Sequence, residues 1–257
     1  MITRRTFSTL AALTGLSAAL GPSRAVAVGV HPRPVVAELF TSQGCHSCPP
    51  ADAYLGQLAE RATTRRDVIA LAYHIDYWDY IGWPDPFADP AYTARQRGYR
   101  PRLGNRTIYT PQMVIDGEVD AVGSRWWEVD KLIADRLSAT QATRPSVPVH
   151  LALSAGTLEI DIPDAHVDRT CEVVMAAYGA HHVTEVKRGE NGGKRLEDFN
   201  VVRHLRVVAR YDGGGGRTGD LVRPRWRCGG AAAGTGSRSD RRRGPARVVG
   251  RPGPAFG

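Results

Sequence analysis

Two thiols three residues apart, Cys45 and Cys48 in the run Cys45-His46-Ser47-Cys48, are the residues whose type and spacing most directly support chemistry. An apolar run, Val35-Val36-Ala37-Glu38-Leu39-Phe40, precedes them, and a helical pattern opens near Pro49. A strand that delivers Cys-x-x-Cys to a helix N-terminus puts sulfur where unpaired backbone N–H groups and the helix dipole favour negative charge. Such settings lower a cysteine pKa to about 3.5–7.5. Cys45 is then the nucleophile and Cys48 the resolving thiol, with a protonated His46 adding positive charge beside Cys45. A low thiol pKa stabilises the reduced pair and makes its disulfide the more oxidising species. The expected chemistry is thiol–disulfide exchange. The competing expectation is a static disulfide without turnover.

Other residues extend this reading. Glu38 stands in the middle of the apolar run and shares a strand face with Val36 and Phe40. Desolvation raises a carboxyl pKa in such a place, so Glu38 is expected to pass protons to and from Cys48 as a general base. The simpler expectation for it is a paired or solvent-reaching carboxylate. Cys45, Cys48, His46 and His74 also form a conceivable set for Cu(I) or Zn(II). No other cysteine lies near them in sequence, and no metal or other cofactor is assigned. Between Tyr73 and Tyr92 lie seven aromatic residues, Asp76, Asp79, Asp85 and Asp89, and prolines 84, 86 and 90. This insertion reads as a packed cap, with a peptide groove as the alternative.

The elements that must position these groups follow from periodicity. Ala51, Leu55, Leu58, Ala59 and Ala62 recur at helical spacing after Cys48. Residues 67–73 predict a second buried strand, residues 90–99 a helix, and 112–117 a strand ending in a turn. A helix over 126–138 carries Val129, Leu132, Ile133 and Leu137 on one stripe. Alternating strands and helices predict an α/β unit with a largely parallel sheet.

Five stretches carry a resemblance. They are residues 38–45 (Glu-Leu-Phe-Thr-Ser-Gln-Gly-Cys), 48–52 (Cys-Pro-Pro-Ala-Asp), 73–79 (Tyr-His-Ile-Asp-Tyr-Trp-Asp), 109–113 (Tyr-Thr-Pro-Gln-Met) and 200–203 (Asn-Val-Val-Arg). Together they resemble the DUF1223 family, secreted bacterial thioredoxin-like proteins of unknown function. The resemblance runs from about Val35 to Tyr211 and implies a thioredoxin-like domain with a long insertion. It also implies that Thr110-Pro111 opens the third strand with a cis proline facing the cysteine pair, whose neighbouring backbone pairs with a bound peptide. Gly44 stands where thioredoxins carry Trp, and His46-Ser47 replaces their usual Gly-Pro, so neither redox direction nor partner follows from the resemblance.

Beyond a linker at 143–148, Val147, Val149, Leu151 and Leu153 alternate, then Leu158, Ile160 and Ile162, which predicts a hairpin. Residues 171–178 and 201–211 predict further strands, with a turn at Asn191-Gly192-Gly193. Residues 147–212 therefore read as a small antiparallel β domain after the thioredoxin-like domain of 33–142. Cys171 reads as a core hydrophobe there, and His181-His182 as solvated or locally satisfied.

Of the 257 residues, 34 are Lys or Arg and 26 Asp or Glu, a net charge of +8. The ten arginines and two aspartates of residues 213–257 account for all of it, so a basic nucleic-acid face on the folded part is excluded. That Gly/Arg-rich segment cannot bury enough apolar area to offset ordering entropy. Its composition suits a shifted reading frame in a GC-rich gene, the alternative being a genuine basic tail. Regular, gap-free strands within it would contradict the first view. Residues 1–27 read as a twin-arginine-like export signal: Arg4-Arg5 and Phe7, a mild apolar stretch, then Ala25-Val26-Ala27. The stretch is too short for a permanent membrane span. The expectation is an exported protein, periplasmic or secreted, that exchanges disulfides with thiol-containing exported proteins or a redox partner. A non-catalytic thioredoxin-like binding module is the alternative, and a copper or zinc protein using Cys45, Cys48 and His74 is a third.

Overall fold

In the computed structural model, residues 33–143, 147–154, 157–167, 170–214, 216–222 and 248–251 are described. The expected export signal, 1–27, lies outside them. β1 (Val35–Thr41) is buried along its whole length, as its unbroken apolar character requires of a strand covered on both faces. Its side chains alternate between two cores. Val35, Ala37 and Leu39 join Ala51, Leu55 and Leu58 of helix α1 (Pro49–Thr64) and Val129 and Ile133 of helix α3 (Trp126–Thr143). Val36 and Phe40 join Tyr92 and Tyr99 of helix α2 (Pro90–Leu103) on the opposite face.

β1 pairs in parallel with β2 (Val68–His74). It pairs antiparallel with β3 (Gln112–Ile115), which in turn pairs antiparallel with β4 (Val119–Val122). The sheet is therefore mixed, where a largely parallel one was expected. The turn expected at the end of the 112–117 strand joins two antiparallel neighbours, β3 and β4. Asp116 and Gly117 both have positive φ, 49° and 60°, and the Glu118 N–H donates to the Ile115 carbonyl at 3.1 Å, a tight turn for which Asp-Gly is a favoured pair. β3 therefore returns as β4 and does not cross over through a helix.

A second correction concerns the C-terminal region. β5 (His150–Ser154) and β6 (Thr157–Ile162) form the expected hairpin. The long strands β7 (Cys171–Glu185) and β8 (Arg195–Tyr211), however, belong to the main sheet, where β8 runs parallel to β2 at Ala72 and Val201. The region has its own apolar cluster, with Leu158, Ile160 and Ile162 against Val173, Met175 and Tyr211. It is not a separate domain, because β7 and β8 extend the sheet that carries β1. Strands also occur in the segment expected to lack them. β9 (Gly216–Val222) pairs with β6, and β10 (Val248–Arg251) with β7. The seven-stranded order is β10-β7-β8-β2-β1-β3-β4, with β5-β6-β9 as a second sheet.

Helix α1 meets β8 where Gly56 approaches Phe199. A Cβ added at Gly56 would lie 2.8 Å from two ring carbons. Gly56→Leu introduces a good helix former but collides with that ring. It is expected to destabilise the protein by about 1–3 kcal/mol, read as a lower urea midpoint. An unchanged midpoint would show that α1 does not need β8.

Candidate functional site

The cysteine pair sits where β1 ends and α1 begins. Cys45 and Cys48 are joined by a disulfide, with Cα atoms 5.4 Å apart. Both are buried, Cys45 1% exposed and Cys48 0%. Cys48 caps α1, and Pro49 and Pro50 follow it. Neither proline has an N–H, and the amides of Ala51 and Asp52 donate to the Cys48 carbonyl at 2.8 and 3.1 Å. The expected row of free helix donors around the sulfurs is therefore reduced, and the helix dipole remains. Side chains supply hydrogen bonds to Cys45 Sγ. The Thr110 hydroxyl donates to it at 3.3 Å, and Ser47 Oγ lies 3.5 Å away. The Thr110–Pro111 peptide bond is cis, as expected. Gly123, whose added Cβ would meet Leu39, Ala51 and Pro111 within 3.3 Å, lets β4 close the floor of the site.

The structure separates some residues that the sequence reading had grouped. Glu38 lies on the sheet face turned away from α1, with Val36 and Phe40. Its Oε1 accepts from Arg95 at 2.5 and 3.1 Å, and its Oε2 accepts from the Tyr99 hydroxyl. The role of proton carrier to Cys48 is thus corrected, because the sheet stands between the two. A cavity of about 10 Å³ beside Glu38 and Arg95 is too small for a ligand. His46 is exposed, and its backbone N–H donates to Glu190 at 3.1 Å. A carboxylate therefore stands beside the imidazole expected to supply positive charge. His74 is committed to Asp85 through Nδ1 at 2.7 Å, and both thiols are committed to each other. Among the described residues no group of three or more His, Cys, Asp or Glu could hold a metal ion, which removes the Cys45/Cys48/His74 set.

In their place a buried polar cluster supports the loop from below. The Gln43 amide donates to Asp85 Oδ2 at 2.7 Å, and its side chain donates to Asp198 at 2.7 Å and to Thr184 at 2.9 Å. Trp83 Nε1 donates to Gln43 Oε1 at 3.1 Å. Thr41 donates to Asp52 at 2.7 Å. Asn191, fully buried, donates to the carbonyls of Gln43 and Cys45 at 2.8 and 3.0 Å. Burial alone would pull His74 down, but Asp85, with Asp198 and Asp52, pushes it up to about 9. Burial would raise Asp85, and His74 outweighs it, so that carboxyl is lowered. Burial and then Asp198 push Asp52 up to about 8, against the opposing effects of His74 and Thr41. Burial also raises Asp198. Among the described residues His74 Nε2 has no hydrogen-bond partner, with Asp198 Oδ1 3.9 Å away. At the far end, His181 pairs with Glu197 at 3.1 Å, as expected of a locally satisfied residue, whereas the buried Nε2 of His182 has no partner among the described residues. Cys171 is half-buried at the start of β7.

Sequence reasoning missed Asp52, Asp198 and Asn191 as site residues. For Asp52 a signal existed, since it lies one helical turn beyond Cys48. Asn191 looked like a turn residue only. Of the aromatics in the 73–92 segment, Tyr73 and Tyr92 at its ends are buried, Tyr77, Trp78, Trp83 and Phe87 are half-buried, and Tyr80 is exposed. A groove of about 360 Å³ lies elsewhere, beside the first turn of α1, lined by Pro49, Ala53, Leu196 and Phe199 with Arg195 and Glu197 at its edge.

The chain matches the family described as "Protein of unknown function (DUF1223)" over residues 36–231. It belongs to that family. It is also similar to the X-ray structure of protein AGR_C_4864 from Agrobacterium tumefaciens, with 34% identity, 70% of this chain and 75% of that one covered, and a TM-score of 0.58. HBP35 of Porphyromonas gingivalis aligns at 14% identity over 74% of this chain and 60% of that one, with a TM-score of 0.44. No curated protein matches the chain significantly.

The charge cluster yields two expectations. His74 contributes stability fully below its ordinary 6.5 and loses it as pH rises through about 9. Asp85 contributes above its ordinary 3.8 and loses it as pH falls through its lower folded value. Neutral pH lies inside both windows. Asp85→Asn leaves the buried imidazolium unpaired and should cost about 3–5 kcal/mol at pH 7 in urea denaturation. Asp52 works in the opposite sense. Its folded form keeps a proton that the unfolded chain releases, so its burial lowers stability as pH rises from 3.8 to about 8. Asp52→Asn should therefore raise the melting temperature relative to the parent by an amount that grows between pH 4 and pH 8. A constant gain would reject burial of this carboxyl as the cause.

Proposed function

We propose that this protein is an exported, thioredoxin-like thiol–disulfide exchange protein acting through Cys45 and Cys48. The observation that carries the reading is the disulfide at the N-terminus of α1 with the Thr110 hydroxyl, next to a cis proline, on Cys45 Sγ. A βαβ unit followed by an antiparallel hairpin and a third helix supports the thioredoxin-like assignment. Export to the periplasm or beyond rests on the Arg4-Arg5 leader and suits a pair that is oxidised. Among the described residues no helix is long and apolar enough to cross a membrane.

The exchange needs no group beyond the two cysteines and a partner. A thiolate of the partner attacks Cys45 Sγ, the Cys45–Cys48 bond breaks, and Cys48 leaves as a thiolate that takes up a proton. A second partner thiolate then attacks its own sulfur in the mixed disulfide. Cys45 leaves as thiolate, the partner is oxidised by two electrons, and the protein is reduced by two. The reverse sequence reduces a partner disulfide. Stabilising Cys45 as thiolate makes it the better leaving group in the first direction.

Access governs the rate. With Cys45 1% exposed, an incoming thiolate reaches sulfur only when the groups packed over it shift. The same burial favours a second reading, a binding module in which the disulfide is structural. Turnover separates the two. Exchange with a scrambled or reduced protein substrate is expected to continue over many cycles and to fall at least about 100-fold in Cys45→Ser. Activity equal to that of Cys45→Ser would leave the binding module as the better reading.

A further inference from the structure

Two prolines immediately after Cys48 take away backbone donors that a helix start would otherwise direct at sulfur, and the next two amides turn to the Cys48 carbonyl. A thiolate at Cys45 must therefore find its hydrogen bonds in side chains. Thr110 supplies one, at 3.3 Å. A hydroxyl can donate in several directions, and a freely turning one stabilises an anion less than a fixed one. Trp78 controls that freedom. Its indole Nε1–H donates to Thr110 Oγ1 at 2.7 Å, and an indole N–H is donor only. The lone pair facing Trp78 is thus occupied, and the hydroxyl proton is directed elsewhere, toward Cys45 Sγ. Trp78 is itself held at the loop. A Cβ added at Gly44, the residue before Cys45, would lie 3.2 Å from both Trp78 Cβ and Trp78 O, so the absence of a side chain at position 44 is what admits the tryptophan.

We propose that Trp78, delivered by the insertion between β2 and α2, is a positioning residue that fixes the Thr110 hydroxyl as a donor to Cys45 and so holds the attacking sulfur as a thiolate. This rests on the exchange reading above and adds to it a residue outside the Cys-x-x-Cys segment and the cis-proline turn. The relay is polar in one direction: indole N–H to hydroxyl oxygen, hydroxyl proton to sulfur. Each bond strengthens as the sulfur gains charge, because charge-assisted hydrogen bonds are about twice as strong as neutral ones. Other groups face the same sulfur or its loop. His46 adjoins it, and Glu190 lies on the His46 amide. Lys194 reaches Asn191, which holds the Cys45 carbonyl. Asp52 lies one turn along α1, and the Tyr77 hydroxyl lies near Thr110. A Trp78→Phe substitution keeps an aromatic ring beside these groups and removes the indole N–H together with the volume of the indole's smaller ring.

The test is a titration of the reduced protein by ultraviolet thiolate absorbance, taken as the difference from Cys45→Ser. The wild-type midpoint is expected below the value of about 8.5 for a free cysteine. Trp78→Phe is expected to raise it by about one pH unit, comparable to losing part of a hydrogen bond to a charged group. Thr110→Val should raise it at least as far, and the double variant no further than Thr110→Val alone, since Trp78 acts through Thr110. A midpoint unchanged in Trp78→Phe, or a double variant equal to the sum of the single shifts, overturns the relay while leaving the exchange reading intact. A wild-type midpoint at the free value overturns both. Should Trp78→Phe not fold, the indole N–H resonance of Trp78 decides in the wild-type chain. It is expected to move with the Cys45 midpoint and to lose that dependence in Thr110→Val. An indole resonance indifferent to Cys45 in the wild type overturns the proposal.

Discussion

A buried charge must be paired, and the loop that carries the cysteines is built on that requirement. His74 and Asp85 are sealed from water at the end of β2 and in the insertion that follows it. Asp85 is bound at once to the imidazole, the Gln43 amide and the Phe87 amide. Gln43 in turn holds Asp198 of β8 and Thr184 of β7. Four separate parts of the chain therefore meet at one ion pair. The loop from Ser42 to Cys48 cannot move without breaking hydrogen bonds in a medium of low effective dielectric, where an unmade bond is costly. That rigidity aims Cys45 at Thr110.

The same network explains why the C-terminal strands cannot be a detachable domain. Asp198, Phe199 and Val201 of β8 contribute to the cluster beneath the loop, the contact with α1 and the pairing with β2. The turn between β7 and β8 supplies Glu190 and Asn191, which hydrogen-bond the cysteine loop at the His46 amide and the Cys45 carbonyl. A β hairpin of this length has one end in the apolar cluster under the second sheet and the other over the disulfide. Its loss would expose both the edge of β2 and the floor of the site.

Glu38 shows how a residue can look chemical in sequence and be structural in space. A carboxylate in an apolar strand must be neutralised, paired or catalytic. Alternation along β1 sends it to the face of α2, where Arg95 and Tyr99 complete its shell and Arg95 lies over the Tyr73 and Tyr99 rings. The opposite parity would have pointed it at α1. One residue of register therefore separates an ion pair that ties α2 to the sheet from a proton carrier beside sulfur.

The cysteine pair, the strand before it, the helix after it and the other helices of the α/β unit were legible in the sequence, because each is set by local periodicity, Pro placement or thiol spacing. The hairpins at Ser154–Thr157 and around Asn191 were legible for the same reason. The turn at Asp116-Gly117 was legible as well, but the antiparallel pairing of β3 with β1 was not, since it depends on how the insertion and α2 return the chain to the sheet. What no local pattern contains is which distant groups share a buried volume. Asp52, His74, Asp85 and Asp198 lie as far apart as 146 positions in the chain, and their proton affinities come from one another and from the loss of water around them. The sequence by itself determined that two thiols would sit at the start of a helix. Only the tertiary structure decided that Thr110, held by Trp78, would reach the sulfur and that Glu38 would face away, because burial, register and long-range electrostatics depend on how the chain packs.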